Sequence, residues 1–241
     1  MRLPVITILA SAVFAFVDGR AEPLQFESGE KRVRLIELYT SQGCSSCPPA
    51  ERWLNGFEAD ERLWKEWVPV AFHVDYWDRL GWKDPFASFE NTSRQYQHHQ
   101  AGNLASVYTP GFVVNGKEWR GWFERKELPE RLGAAGNLKV SLEGDRIEAS
   151  YSGPENAAFL NVAILGMDIR TSVERGENRN RDLRQSFVSL AHERFESKSG
   201  SWTGDVPSFD PDSARRYAIA AWVTKPGSLE PIQATGAWLT H

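Results

Sequence analysis

The stretch VRLIELYTSQGCSSCPPAERW, from Val33 to Trp53, decides how the chain is read. Val33 to Tyr39 is rich in β-forming side chains and predicts a strand, and Thr40-Ser41-Gln42-Gly43 is a turn cluster that ends it. Helical patterning follows, with Trp53, Leu54, Phe57, Leu63 and Trp64 as the apolar points of a helix from about Pro49 to Trp67, broken near Ala59-Asp60. The order is strand, turn, helix, and Cys44 and Cys47 sit where the turn opens the helix. A cysteine there lies beside free backbone N–H groups and the positive end of the helix dipole, which stabilise a thiolate. Residues i and i+3 of a first helical turn lie about 5 to 6 Å apart at Cα, inside the disulfide window. The spacing therefore supplies an attacking thiol, Cys44, and a resolving thiol, Cys47. A bridge across so short a loop constrains the unfolded chain very little, so stability is a poor reason for the pair.

Outward from this stretch, Val68 to Val74 is the next predicted strand, and the segment from Asp75 to Val107 reads as an insertion carrying a helix from Ser88 to about Gln100, closed by Gly102. Thr109-Pro110 precedes Phe112-Val113-Val114; Asn115-Gly116 signals a hairpin turn, Glu118 to Trp122 returns, and Phe123 to Ala135 predicts a final helix. From Asn137 the texture changes to strands at 138–142, 146–151, 159–169, 217–224 and 232–239, separated by Gly, Pro, Asn and Asp clusters, which predicts an antiparallel sandwich. Small residues at 133–136 (GAAG) read as a hinge. The expected architecture is an α/β domain over residues 22–136, with a helical insertion at about 76–107, followed by an all-β, sandwich-like domain over 137–241.

With 241 residues, 41% hydrophobic and 25% charged, and no repeat or Gly-X-Y period, the chain is neither disordered, collagen-like nor a solenoid. Lys plus Arg number 28 against 32 for Asp plus Glu, and no run of four basic residues occurs, so neither a nucleic-acid footprint nor a polybasic membrane patch is supported. Residues 1–21 begin with Arg2, run apolar from Leu3 to Val17 and end in Gly19-Arg20-Ala21, the pattern of a signal peptide cleaved after Ala21. The apolar run is shorter than the roughly 20 residues of a membrane span. The working protein is therefore expected to be exported, periplasmic or secreted, without stable membrane insertion after cleavage.

The order strand, Cys-x-x-Cys helix, strand, helix, Thr109-Pro110, hairpin and helix resembles the core of the thioredoxin superfamily. The fuller set YTSQGCSSCPPAE, HVDYWDRLGWKDPFAS and SVYTPGFVVNG is similar to a family of exported bacterial proteins of unknown function, related to thioredoxin, with a β-rich C-terminal extension. Weaker echoes lie at 175–178 and 233–239. The resemblance implies a thioredoxin-like fold for the first domain, a cis Pro110 facing the cysteines and Thr109 holding an extended substrate by its backbone. It also implies that Glu37, on the strand feeding the site, is a buried general base for Cys47; the competing reading is a glutamate facing away, since an offset of one residue reverses the face.

The function these residues point to is thiol-disulfide exchange with protein thiols or disulfides, which requires no cofactor. A second reading gives Cys44, Cys47 and His73 a Cu(I) or Zn ion, against which stand the lack of another cysteine pair and of Met- or His-rich tracts. A third makes the cysteines an inert bridge in a binding protein. His73, Asp75 and Asp78 end the second strand on the side where open sheets place their sites, although a hydrogen-bonded core histidine is the plainer reading. Seven of the ten Trp lie between Trp53 and Trp122. Trp77, Trp82, Trp119 and Trp122 either line an apolar groove or fill the core, the latter being the commoner outcome. His98 and His99 are expected at a solvated helix end. Residues 174–182 (ERGENRNRD) read as a hairpin tip, and no phosphate loop, Gly-x-Ser-x-Gly elbow or His-Glu-x-x-His helix is present.

Overall fold

The computed structural model of the protein describes residues 22–130 and 133–239; the expected signal peptide lies outside them. In chain order, β1 (Leu24–Glu27) and β2 (Arg34–Thr40) lead to α1 (Pro48–Asn55), β3 (Trp67–His73) and α2 (Phe89–Gln100), and then to the hairpin β4 (Gly111–Val114) and β5 (Lys117–Glu118). The helix α3 (Gly121–Glu124) is a single turn. Strands make up the remainder: β6 (Leu138–Glu143), β7 (Arg146–Tyr151), β8 (Phe159–Met167), β9 (Ile169–Val173), β10 (Arg181–Gln185), β11 (Val188–Glu196), β12 (Ser201–Asp205), β13 (Arg216–Thr224) and β14 (Pro231–Leu239).

These strands form three sheets. The largest has eight strands in the order β14-β13-β8-β11-β3-β2-β4-β5; a four-stranded sheet runs β1-β6-β7-β12; and β9 and β10 form a separate two-stranded ribbon. Within the large sheet, β2 and β3 are parallel, with Thr40 beside His73, while β4 runs antiparallel to β2 with Gly111 beside Tyr39. Alternation along β8 and β13 builds two cores from one sheet. Val162, Ile164, Ile219, Ala221 and Val223 pack against Leu138, Val140, Leu142 and Ile147 of the four-stranded sheet. Ala163, Leu165, Ala218, Ala220 and Trp222 join the core of β2, β3 and β4.

The expected fold class is corrected by this topology. The described residues are mostly β, with 43% of them in strands and 16% in helices, so an α/β thioredoxin-like domain followed by a separate sandwich does not describe the fold. Strands from both sides of residues 133–136 share one mixed sheet, because β11 pairs with β3 in parallel at Val188 and Ala71, and the Ala71 N–H donates to the Phe187 carbonyl at 2.7 Å. The physical reason lies in β3, whose residues are buried throughout. A buried strand edge without a partner would leave peptide groups unpaired; the Trp64 and Ser88 N–H groups serve the ends of this one, at the carbonyls of Trp67 and His73, and the start of β11 covers its middle. The four-stranded sheet likewise takes β1 from the N-terminal side, paired with β6.

Several elements are shorter than expected. The helix expected over 49–67 stops at Asn55, continues as a 3-10 turn over Gly56–Ala59, and gives way to β3 at Trp67. The helix expected over 123–135 ends at Glu124, because Arg125 takes a left-handed backbone at φ 55°. No helix among the described residues is long and apolar enough to cross a membrane.

If the sheet is continuous, residues 22–136 expressed alone lack the partner of β3. That fragment should show no cooperative thermal unfolding by circular dichroism, whereas residues 22–241 should unfold in one transition. A cooperative melt of the fragment would restore the separate domain.

Candidate functional site

The N-terminal cysteine loop leaves the end of β2 at Ser41 and enters α1 at Cys47. Tight turns shape it: the Cys44 N–H donates to the Ser41 carbonyl at 3.1 Å, the Cys47 N–H donates to the Cys44 carbonyl at 3.2 Å, and the Gly43 N–H donates to Ser41 Oγ at 3.0 Å. Cys47 caps α1, and Pro48 and Pro49 fill the first helical positions, where no N–H is needed. Cys44 and Cys47 are joined as a disulfide with Cα atoms 5.4 Å apart. Cys44 Sγ lies 3.3 Å from Ser46 Oγ. Both cysteines are 0% exposed, while Ser45 and Ser46 between them face solvent.

The Thr109–Pro110 peptide bond is cis. The register of Tyr39 with Gly111 puts it at the same end of the sheet as the cysteine loop. Trp77 stands between the two: its indole N–H donates to Thr109 Oγ1 at 2.8 Å, and a Cβ on Gly43 would come within 3.1 Å of the Trp77 Cβ. A side chain at 43 would therefore press on Trp77. Trp82 flanks the other side, its indole N–H donating to Gln42 Oε1 at 3.1 Å. Trp119 is instead a core residue, packed with Trp53 and Phe112, and Trp122 packs on Phe112.

Beneath the loop lies a buried polar chain. Glu51, one turn after Cys47 on α1, accepts from Thr40 Oγ1 at 2.7 Å and from Gln185 Nε2 at 2.9 Å through one oxygen, Oε1. Gln185 Oε1 accepts from Gln42 Nε2 at 2.8 Å, and the Gln42 N–H donates to Asp84 at 2.7 Å. The same Asp84 oxygen lies 2.7 Å from His73 Nδ1. Burial pushes the Glu51 carboxyl above its usual range, and neither His73 nor its hydrogen bonds bring it back. Burial disfavours charge on His73 as well, yet Asp84 outweighs it and the imidazole pKa is raised, while that of Asp84 is lowered.

Glu37 does not join this chain. It is three residues from Thr40 on the strand and so faces the opposite side of the sheet. There its carboxylate accepts from Arg94 Nε at 2.7 Å and Tyr39 OH at 2.9 Å, and lies 3.4 Å from His98 Nε2. Burial would raise its pKa, but Arg94 and His98 together hold it well below the carboxylate range. The buried carboxyl on the helix that the cysteines open is Glu51, which the sequence reading missed; the signal was its position four residues after Cys47, one helical turn on. His98, expected at a solvated helix end, is fully buried. Among the described residues no group of three His, Cys, Asp or Glu side chains comes together as a metal site.

The ribbon of β9 and β10 covers the loop from the other half of the chain. Asn178, fully buried, donates from Nδ2 to the carbonyls of Gln42 at 2.8 Å and Cys44 at 2.9 Å. Glu177 accepts from the Ser45 N–H at 3.0 Å. Gln42 Nε2 also reaches Thr171 Oγ1 at 3.0 Å. Glu177 and Asn178 fall in the stretch 174–182 that reads as a hairpin tip.

A family model for proteins of unknown function, DUF1223, matches residues 35–224, which include every residue of the site just described. The chain belongs to this family. No curated protein matches it. Among solved structures, an X-ray structure of a protein from Agrobacterium tumefaciens is 24% identical, with a TM-score of 0.62 over 88% of this chain and 99% of that one. HBP35 of Porphyromonas gingivalis is 14% identical, with a TM-score of 0.53 over 88% of this chain and 76% of that one. At these identities the likeness is one of fold.

The His73–Asp84 pair gives the site a pH signature. A histidine whose folded pKa is raised stabilises the fold below its unfolded value of about 6.5, and that contribution is lost as pH rises through the folded value. Urea midpoints should therefore decline from mildly acidic to alkaline pH. Asp84→Asn, which strands a buried imidazole, should remove the decline and cost roughly 3 to 5 kcal/mol at the acidic end. An unchanged slope in the variant would place the titration elsewhere.

Proposed function

We propose that the protein is an exported thiol-disulfide exchange protein acting through Cys44 and Cys47. The observation that carries this reading is the disulfide at the start of α1 with a buried, raised-pKa carboxyl, Glu51, one turn behind Cys47. Exchange requires a proton source for the leaving thiolate, and a neutral carboxyl one helical turn from Cys47 is a group of that kind. The cis bond at Thr109–Pro110 on the same end of the sheet supports it too. By this reading the likeness to thioredoxins is confined to the site and does not extend to the architecture.

In the oxidising direction, a client thiolate attacks Cys44 Sγ and the Cys44–Cys47 bond breaks, its electron pair leaving on Cys47. Glu51 in its neutral form gives that sulfur a proton and recovers one from solvent through the groove of about 410 Å³ that Glu51 lines with Pro48, Arg52 and β10 residues Asp182 to Arg184. A second client thiol then displaces Cys44 from the mixed disulfide, so that the client leaves as a disulfide and the pair holds two electrons and two protons. The reverse sequence reduces a client. Export fits a pair that is closed as a disulfide and a leader-like segment at 1–21.

One observation favours an inert bridge instead: both sulfurs are fully buried. Redox titration of the full-length mature protein in glutathione buffers, with thiols trapped by alkylation and counted by mass, separates the two. Exchange predicts a reversible two-electron transition in the native fold and capture of partners by Cys47→Ser through Cys44. Glu51→Gln should slow exchange by about 10²-fold with a smaller effect on the transition midpoint. A disulfide that resists reduction until the protein unfolds would make the bridge structural.

A further inference from the structure

The exchange reading leaves one arrangement unexplained, the docking of the β9–β10 tip on the cysteine loop. Glu177 and Asn178 both bind peptide groups of the loop, but in unlike ways. Asn178 is buried and holds carbonyls of Gln42 and Cys44. Glu177 is exposed and holds the N–H of Ser45, the amide that directly follows Cys44. Gly176 lets the tip approach this closely, since it has φ +74° and a Cβ there would meet the Trp82 Cβ at 3.1 Å. The root of the ribbon is fixed separately: Asn55 binds the Arg184 carbonyl at 2.8 Å and the Ser186 N–H at 2.9 Å, and Glu58 accepts from Ser186 Oγ at 2.9 Å.

Resting on that reading, we infer that Glu177 is a positioning residue for Cys44: its carboxylate holds the Ser45 N–H while the disulfide is closed, and the Cys44 thiolate displaces it, lifting the tip and uncovering the sulfurs.

The argument is one of competing anions. When a thiol donor reduces the pair, the S–S bond breaks, Cys44 is left as thiolate and Cys47 as thiol, and the donor leaves as its disulfide. A negative charge then appears on the side chain attached to the peptide whose N–H Glu177 already occupies. Hydrogen bonding to Ser45 favours the ionised form of Glu177, so the two groups meet as like charges with one donor between them. Reciprocity follows: if the thiolate weakens docking, docking disfavours the thiolate and holds the pair oxidised. Lifting the tip also frees the Gln42 and Cys44 carbonyls toward water, so no peptide group is left buried without a partner.

Three measurements on the full-length mature protein test this: the Cys44 thiol pKa, the glutathione equilibrium at alkaline pH where Cys44 is thiolate, and the rate of reduction by dithiothreitol. Glu177→Gln keeps an acceptor for the Ser45 N–H and removes only the charge. It should lower the thiol pKa and shift the equilibrium toward the dithiol by roughly three- to tenfold, the range for like charges a few ångströms apart near solvent. Asn178→Ala should speed reduction by dithiothreitol, and hydrogen exchange at 175–180 should be faster in reduced than in oxidised wild type. If Glu177→Gln changes the melting temperature alone, leaving thiol pKa and equilibrium as in wild type, Glu177 is only a structural contact, and the exchange reading stands. If the wild-type pair does not cycle in its native fold, the exchange reading fails and this inference fails with it.

Discussion

A loop that is buried must find partners for its own peptide groups, and the loop from Gln42 to Cys47 finds some of them in its own turns, through the N–H groups of Gly43, Cys44 and Cys47, and takes the rest from far along the chain. Its strand and helix neighbours are already committed to their own ladders. The Gln42 N–H goes to Asp84, and the Gln42 and Cys44 carbonyls go to Asn178, 136 and 134 residues away in sequence. Much of the architecture is consistent with that need. The β9–β10 ribbon must cross the cysteine loop to deliver Asn178, and it ends at Gln185 against Glu51. The next strand, β11, then begins at Val188 beside β3 and closes the large sheet. Docking the ribbon and completing the sheet are consecutive events along one stretch of chain, which is why the cysteine loop and the C-terminal strands cannot be assigned to separate domains.

The local parts of this arrangement were legible. Val33 to Tyr39 reads as a strand because every residue of it is apolar or hydrogen-bonded inside the core, and Asn115-Gly116 marks its hairpin by the positive φ that both residues adopt. The β-rich second half was legible in the same way. What escaped is non-local. Residues 188–196 (VSLAHERFE) carry three charges and a bulge between Ser189 and Ala191, so no alternation announces a strand at the centre of a sheet. Nor can spacing show that β11 slots between β8 and β3. Glu37 was assigned to the cysteines from its place on the feeding strand, but a side-chain period of two sets its face, and an odd offset from Thr40 turns it away from α1.

That parity separates two buried charged groups across the sheet. On the α1 side, His73 and Asp84 hold the cysteine loop through Gln42. On the α2 side, Glu37 binds Arg94, and several polar atoms there, including Glu37 Oε1, Arg94 Nη2 and His192 Nε2, have no hydrogen-bond partner among the described residues. Aromatic faces partly take their place: the Arg94 guanidinium lies 5.3 Å from the Phe72 ring and 5.3 Å from that of Trp222, and His192 stacks on Trp222 at 5.2 Å. Burial with Arg94 nearby drives the His192 pKa down to about 3, which keeps a second positive charge out of this pocket. A buried ion pair of this kind adds little net stability but penalises any packing that separates its members. It fixes how α2 sits on the sheet, and the chemistry is left to the other face.

Access to the sulfurs depends on how much structure must move. A disulfide sealed by apolar packing can be reached only by unfolding the core, at a cost near the global stability. Here the ribbon is held to the loop and α1 by polar contacts, whose strength is graded along it. At the root, Asn55, Glu58 and Gln185 tie it to α1 and the 3-10 turn that follows, with Gln185 buried. At the tip, Glu174, Arg175 and Glu177 are exposed, and Asn178 is the one buried residue that must leave its place. Its two donors and the carbonyls they serve would exchange those bonds for water, a trade whose net cost is about 0.5 to 1.5 kcal/mol per bond. Opening at the tip is therefore a local event of low cost compared with opening the sheet, and a buried position for Cys44 and Cys47 is compatible with a reactive pair.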